Sequence, residues 1–315
     1  MMVMGKERPN VLYDVLLGDG GYIYQGISEM DGHVIMPHFV EYPHTLFRRI
    51  LHVLFVGHFP MNGKVVEWLT GRNGFKWLTT LKEGDRLLFH DIYSLRTLRA
   101  VAYLTPTTVK RFLYISNTLI YCYPPQRISK IIEKIKKMGY QIVTFDQKDA
   151  LNYDIKYAPQ FYRFPDRATT TEIKYDFFFC GLNKGRGEII GNLEKQLSGK
   201  GFRCKFIVPQ LSGKGKICYN NYLEYIQECR CVVDITQENQ AGLTRRPIEA
   251  LFFNKKLVTN NKEIIEFDFY RKSNIFVLGI DNINDIDHFM KMKLEIIPDD
   301  IKRKYDVNTW LENFK

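Results

Sequence analysis

Between Gln240 and Asn261 the chain reads QAGLTRRPIEALFFNKKLVTNN, a run whose residue types suit one kind of chemistry. Thr244 is placed to cap a helix, and Pro247 fits its first turn, where a missing N–H has no partner to lose. Gly242 supplies the turn before the cap, and Arg245 and Arg246 open the helix. Unpaired N–H groups at a helix N-terminus, the helix dipole and two guanidinium groups together make a receptor for a diphosphate. Glu249, one turn further on, is placed to reach a ribose hydroxyl pair. The combination points to a nucleotide-activated donor. The competing reading is a well-capped helix with Glu249 favoured by the dipole and two solvated arginines. Cations at that end oppose the dipole unless an anion compensates, and such a local conflict is what a functional site produces.

A second turn, GLNKGRGE, follows the apolar run Tyr175–Cys180. Gly181, Gly185 and Gly187 flank Lys184 and Arg186 immediately before a helical pattern. In an open α/β sheet, ligands bind beyond the carboxyl ends of the strands, where a glycine-rich turn lets amides approach phosphate. The spacing is neither a Walker A loop nor a complete dinucleotide fingerprint, so taken alone the turn reads as structural. Its place at the start of a second domain makes it a candidate partner of the Arg245–Arg246 helix.

Transfer from such a donor by inversion needs a general base for the acceptor hydroxyl. The candidates sit at the ends of apolar runs read as strands in the first half, His58 after LHVLFVG and His90 and Asp91 at the end of DRLLFHD, with Asp91 preferred and His58 second. Asp91 reads equally as the cap of the helix that follows it.

The elements that would position these residues alternate between strand-like and amphipathic helical runs, the pattern of parallel α/β architecture. Strands are expected near Arg49–Val56, Asp85–His90, Arg111–Ser116 and Gln141–Phe145, with helices near Lys64–Leu69, Leu95–Leu104 and Gln126–Met138. In the last of these, Ile128, Ile131, Ile132, Ile135 and Met138 share one face, and Gly139 ends it. The glycine- and aromatic-rich GDGGYIYQGISEMDGH reads as a loop or hairpin. Two prolines and three successive threonines within APQFYRFPDRATTTEIK mark a linker. After it come strand Tyr175–Cys180, helix Glu188–Leu197, strand Cys204–Val208, helix Tyr222–Cys229, strand Cys231–Ile235, helix Arg246–Phe252 and strand Lys256–Thr259. The expected organisation is a domain over residues 1–160, a linker over 161–174, a donor-binding domain over 175–300 and a final helix over 301–315 that crosses back to the first domain.

The 315 residues are 45% hydrophobic and 25% charged, enough for two cores. No stretch approaches the roughly 20 apolar residues of a membrane span. The opening MMVMGKERPN is too short and too soon polar for a secretory signal, so a cytoplasmic location is expected. The net charge of +10, with 19 tyrosines and 22 phenylalanines, suits peripheral contact with the anionic inner face of the cell membrane. Six cysteines without paired C-x₂₋₄-C spacing read as reduced thiols rather than a zinc site. Asp285-x-Asp287 falls in the polar run DNINDID, and His33, His38 and His44 lack helical i, i+4 spacing, so no metal is expected.

The K/R-bearing glycine turn followed late in the chain by GLTRRPIEAL and KKLVTNN resembles bacterial glycosyltransferases of the GT-B architecture, in particular those of lipopolysaccharide and capsule synthesis. GYQIVTFDQKDALNYDIKYAPQFY has the look of the same group, and the resemblance spans roughly residues 85 to 280. It implies two Rossmann-like domains with parallel sheets facing a central cleft, a nucleotide-diphosphate sugar as co-substrate and no obligatory metal. It also implies a saccharide or lipid-linked saccharide acceptor. Carried over by matching positions, Thr244, Arg245 and Arg246 meet the phosphates and Glu249 the ribose or sugar. One departure is plain: retaining members of one large family carry a glutamate eight residues before the helix glutamate, and Ala241 stands there, so inversion is favoured. Two other readings stay open, a non-catalytic nucleotide-sugar-binding protein and, on charge alone, a basic nucleic-acid binder. No nucleic-acid partner is expected, since no binding module is present.

Overall fold

The computed structural model describes residues 12–16, 33–37, 45–70, 75–91, 93–163, 172–210, 214–215, 217–237 and 240–315. The chain divides into two compact units, Met1–Ala158 with Leu311–Lys315, and Pro159–Trp310. Each is built on a parallel sheet.

The first sheet contains β1 (Leu12–Leu16), β2 (His33–Pro37), β3 (Arg86–His90), β4 (Lys110–Ile115), β5 (Tyr140–Thr144) and β6 (Lys156–Tyr157), in the order β2-β1-β3-β4-β5-β6. β1 and β2, which the sequence reading did not place, pair in parallel, and GDGGYIYQGISEMDGH, read as a loop or hairpin, leads from one to the other. Most of the glycine-rich segment between them lies outside the described residues. Leu87, Phe89, Leu113 and Ile115 alternate onto one face and meet Leu98, Val101, Ile132 and Ile135 of the covering helices. On another side, Phe314 of the chain's last turn sets its ring edge-on to Phe112 and Tyr114, and Arg86 donates to its carbonyl at 3.0 Å.

The second sheet contains β7 (Tyr175–Cys180), β8 (Cys204–Ile207), β9 (Cys229–Asp234), β10 (Lys256–Thr259) and β11 (Ile275–Val277), in the order β11-β10-β9-β7-β8. The run Phe177-Phe178-Phe179 suits β7 to an interior place in the sheet, between β9 and β8. Phe177 and Phe179 feed one core with Leu193 and Leu197, while Phe178 feeds another with Leu223, Ile226 and Ile248, so the strand is covered on both faces. Chain order reverses across this strand: β8 lies on one side and β9 on the other.

One expected element changes type. Arg49–Val56 is not a strand: Leu46–Phe55 form a helix, with the Thr45 hydroxyl accepting from the Arg48 N–H at 3.3 Å. A short continuous apolar run is compatible with either state, and here the capping threonine and helical spacing of Leu46, Ile50 and Leu54 decide. Among the six cysteines, Cys229 and Cys231 are buried on β9 and Cys218 is exposed; all are free thiols. Among the described residues, no helix is long and apolar enough to cross a membrane.

Candidate functional site

In the second unit the carboxyl ends of β7 and β9 lie side by side at the point where strand order reverses. The turn after β7 holds its shape through left-handed backbone at Lys184 (φ 45°) and Gly185 (φ 84°), a region glycine adopts without strain. Lys184 is exposed, whereas Arg186 is folded back and buried. Its Nε and Nη2 donate to the Leu182 carbonyl at 3.2 and 3.0 Å, and Nη1 donates to the carbonyl of Ile235 after β9.

The helix Arg245–Phe252 is aimed at the same place. The Thr244 hydroxyl caps it, accepting from the Arg246 N–H at 3.3 Å while donating to Asp234 at 2.8 Å. Asp234, the last residue of β9, is fully buried, and its Oδ1 takes Nη1 of Arg246 at 2.5 Å. Nε of Arg246 donates to the Cys180 carbonyl at 3.1 Å. Burial opposes the charge on Arg246, but Asp234 and the neighbouring Tyr222 hold its pKa above the ordinary value. Both guanidinium groups lie over the Phe179 ring, at 5.3 Å for Arg246 and 5.8 Å for Arg186. They converge on Gly181: a Cβ there would stand 2.5 Å from Nη2 of Arg246 and 3.0 Å from Nη2 of Arg186. A side chain at that position would push the two groups apart.

The anion that the two helix arginines call for is therefore supplied in part by the protein. Asp234 neutralises Arg246 directly. Arg245, half-buried, has an Nε with no hydrogen-bond partner, and its charge acts on Glu249 one turn along the same helix face. Glu249 itself points inward. It is 1% exposed, and its two oxygens accept from the Tyr219 hydroxyl at 2.8 Å and from the Tyr222 hydroxyl. Burial raises the Glu249 carboxyl above the usual carboxylate range, against the lowering effects of the Tyr222 bond, Arg245, the Tyr219 bond and Arg246. The tyrosine rings stack with centroids 5.5 Å apart. Gly242 is buried, and its carbonyl accepts from Gln240 at 3.2 Å. Ala241 is buried as well, while Glu238, its acidic near neighbour, lies outside the described residues.

Thus Gly181, Arg186, Thr244, Arg245, Arg246 and Glu249 gather at one end of this sheet, with Lys184 on the exposed turn beside them. Three further members escape the sequence reading: Asp234, Tyr219 and Tyr222. Asp234 had a signal, being the one charged residue inside the apolar run CVVDI. The two tyrosines carried none beyond their i, i+3 spacing.

In the first unit, Asp91 follows β3 with a left-handed backbone (φ 52°), an uncommon conformation that aspartate tolerates and that clusters at functional sites. Its Oδ1 accepts from the Ser116 N–H and the Tyr93 hydroxyl, both at 2.7 Å, and Oδ2 accepts from the Ser116 hydroxyl. Burial, then the Asp91 charge, raises the Tyr93 pKa, which keeps that hydroxyl a donor. Asp91 is not the helix cap: Ser94 takes that role for Leu95–Leu104, accepting from Thr97. His58 is exposed and follows the helix Leu46–Phe55, so it does not sit at a strand end. Among the described residues no group of three or more His, Cys, Asp or Glu side chains is placed to hold a metal ion. Asp287 pairs with Lys200 at 3.1 Å instead.

No protein-family model and no curated protein sequence matches the chain. Among solved structures, a glycosyltransferase from Rickettsia africae is 14% identical with a TM-score of 0.52, the alignment covering 98% of this chain and 97% of that one. A Methanocaldococcus jannaschii UDP-GlcNAc 2-epimerase is 8% identical with a TM-score of 0.43, covering 97% and 100% of the two chains. The accessory secretory protein 1, 2 and 3 structure from Streptococcus pneumoniae gives 10% identity and a TM-score of 0.42 over 80% of this chain, which spans 54% of that one. At such identity the likeness to the Rickettsia structure establishes fold: the chain is α/β, with two parallel-sheet units of the GT-B-like kind.

Proposed function

We propose that the chain is a glycosyltransferase that takes a sugar from a nucleotide diphosphate and passes it to a saccharide or lipid-linked saccharide acceptor in cell-surface polysaccharide synthesis. The observation that carries this is the convergence of Arg186 and Arg246 on side-chain-less Gly181, beyond the carboxyl ends of β7 and β9 at the reversal of strand order. That is where open α/β sheets bind phosphorylated ligands. Two guanidinium groups already fixed by carbonyls and a carboxylate lose little freedom on meeting an anion, so a departing diphosphate is stabilised without reorganisation. Arg245 and the exposed Lys184 add cationic charge, and Thr244 holds the helix N-terminus in position. No obligatory metal is part of the proposal, because these cations supply the charge a divalent ion otherwise would. Glu249 acts here mainly as the buried anchor of the arginine helix.

For the acceptor side, Asp91 ranks ahead of His58 as the base of an inverting transfer. It lies at the carboxyl end of a strand, held by Tyr93 and Ser116, while His58 follows a helix. Peripheral contact with anionic membrane belongs to the same proposal, since the acceptor class includes lipid-linked glycans.

The test is a melting screen against UDP, GDP, CMP and dTDP with a chelator present. A ligand at a hundredfold its Kd stabilises the folded state by about 2.7 kcal/mol. One nucleotide is expected to raise the melting temperature, and Gly181→Ala, whose added Cβ displaces the Arg246 and Arg186 guanidinium groups, should lose that rise relative to its own nucleotide-free melting temperature. Failure of all four, or an undiminished rise in the variant, would remove the proposal. With a donor in hand, Asp91→Asn is expected to cut transfer far more than His58→Gln.

A further inference from the structure

The helix Leu46–Phe55 is mounted with its apolar stripe outward. At 100° per residue, Leu46, Phe47, Ile50, Val53 and Leu54 fall within one arc of the helix surface. All five are between 45% and 74% exposed. The opposite arc does the packing: His52 is buried and Leu51 lies against the first unit's core. Burial, then the nearby Arg96 charge, lowers the His52 pKa. A helix of a globular domain ordinarily shows the reverse arrangement. Contiguous exposed apolar surface of this kind marks an interaction face.

Charge identifies the occupant. The helix, LFRRILHVLF, contains two arginines and no acidic residue. Arg49 is exposed at the edge of the stripe, and Arg48 lies over the ring of Trp68, 5.4 Å from its centroid, on the neighbouring helix Gly63–Thr70. Trp68 is itself 50% exposed. Lys64 is exposed on that second helix, where Glu67, half-buried, is the single carboxylate. Large aliphatic and aromatic side chains on one arc, bordered by arginine, lysine and an interfacial tryptophan, match a helix lying in the headgroup region of an anionic bilayer. A neutral protein groove would explain the stripe but not the bordering cations.

We propose that Leu46–Phe55 is a membrane-docking helix whose partner is an anionic lipid surface. This deepens the peripheral contact proposed above by naming its surface, yet it depends on the lipid-facing stripe and not on the donor cluster. The experiment is flotation of the full chain with phosphatidylcholine vesicles, with and without phosphatidylglycerol, in the absence of nucleotide. The expected result is co-flotation only with the anionic vesicles. Ile50→Asp with Leu54→Asp should abolish it, and Arg49→Gln should weaken it roughly fivefold, as expected for one basic residue at such a surface. Both substitutions fall on exposed positions, so their melting temperatures should equal that of wild type, which separates lost docking from lost folding. Absence of flotation, or flotation that survives the double substitution, overturns the assignment. So does self-association on sedimentation that the double substitution dissolves, which would make a second copy the occupant. A nucleotide-induced melting shift retained by a non-floating wild type would show that the donor reading stands while this one fails.

Discussion

Replacing Glu249 separates its two possible roles, anchor and ligand contact. In Glu249→Ala the hydroxyls of Tyr219 and Tyr222 lose the buried carboxylate that accepts from them, Tyr219 keeping its 3.5 Å contact with the Tyr162 hydroxyl, and a buried hydroxyl left without an acceptor costs about 1–3 kcal/mol. The deleted side chain leaves a void that adds to this, and Arg245 loses the carboxylate whose charge it shares a face with. The total is about 3–6 kcal/mol, which for a unit of this size lowers the melting temperature by roughly 10 °C or more. Glu249→Gln keeps the shape and one carbonyl acceptor, so about 1–2 kcal/mol is expected. The pH dependence has a definite sign. Burial raises the folded-state value of the Glu249 carboxyl, so the folded chain binds the proton more tightly than the unfolded chain, and wild-type stability falls as pH rises through that value. Glutamine lacks that proton equilibrium, so its deficit relative to wild type narrows on going from acidic to neutral pH. Thermal melts of the three proteins across acidic to neutral pH, run beside nucleotide binding, make the measurement. If Glu249→Ala melts with wild type and only nucleotide binding is lost, the carboxylate is a ligand contact and the anchoring account is wrong.

Two other outcomes follow from buried charge. Arg246→Ala strands the fully buried Asp234 and should cost about 3–5 kcal/mol, whereas Arg246→Ala combined with Asp234→Ala should recover part of that loss in a double-mutant cycle read by denaturant melts. Asp149, whose carboxyl accepts from the Leu119 N–H at 2.7 Å, is pushed up to about 6 by burial. Its folded-state value exceeds the unfolded one, so the chain loses stability as pH climbs from about 4 to 6; because the half-buried carboxyl is partly screened by solvent, Asp149→Asn should be more stable than wild type at neutral pH by only ~1 kcal/mol and lose that advantage in acid.

How far the sequence carries depends on which forces placed each residue. The second sheet is legible because its strands are buried on both faces: FFF in β7 and CVV in β9 leave few alternatives to a central parallel strand. The helix Arg245–Phe252 is equally plain, since Thr244 and Pro247 encode its start locally. Leu46–Phe55 misleads because strand propensity and an outward apolar face are indistinguishable in a ten-residue run when the hydrophobic side does not face the core. Arg245 and Arg246 mislead more subtly. Their unfavourable position at a helix N-terminus signals a compensating anion, but sequence cannot say whether that anion is a ligand or another part of the chain. Asp234 lies eleven and twelve residues upstream in sequence and within hydrogen-bond reach in space, so the partner becomes visible only once β9 is placed beside the helix.

That internal compensation changes what the cluster is good for. A guanidinium with no partner would be held by water and would have to shed it, and reorient, before meeting a phosphate. Arg246 instead has Nε fixed by Cys180 and Nη1 by Asp234, which leaves Nη2 directed at Gly181. Arg186 is fixed from the other side by Leu182 and Ile235, with its own Nη2 at the same glycine. The buried pair thus spends stability on orientation: Asp234 takes half of the Arg246 fork so that the other half has one direction to point. On the proposed reading, an incoming diphosphate would meet donors whose geometry is already set, beside the glycine whose missing side chain leaves them room.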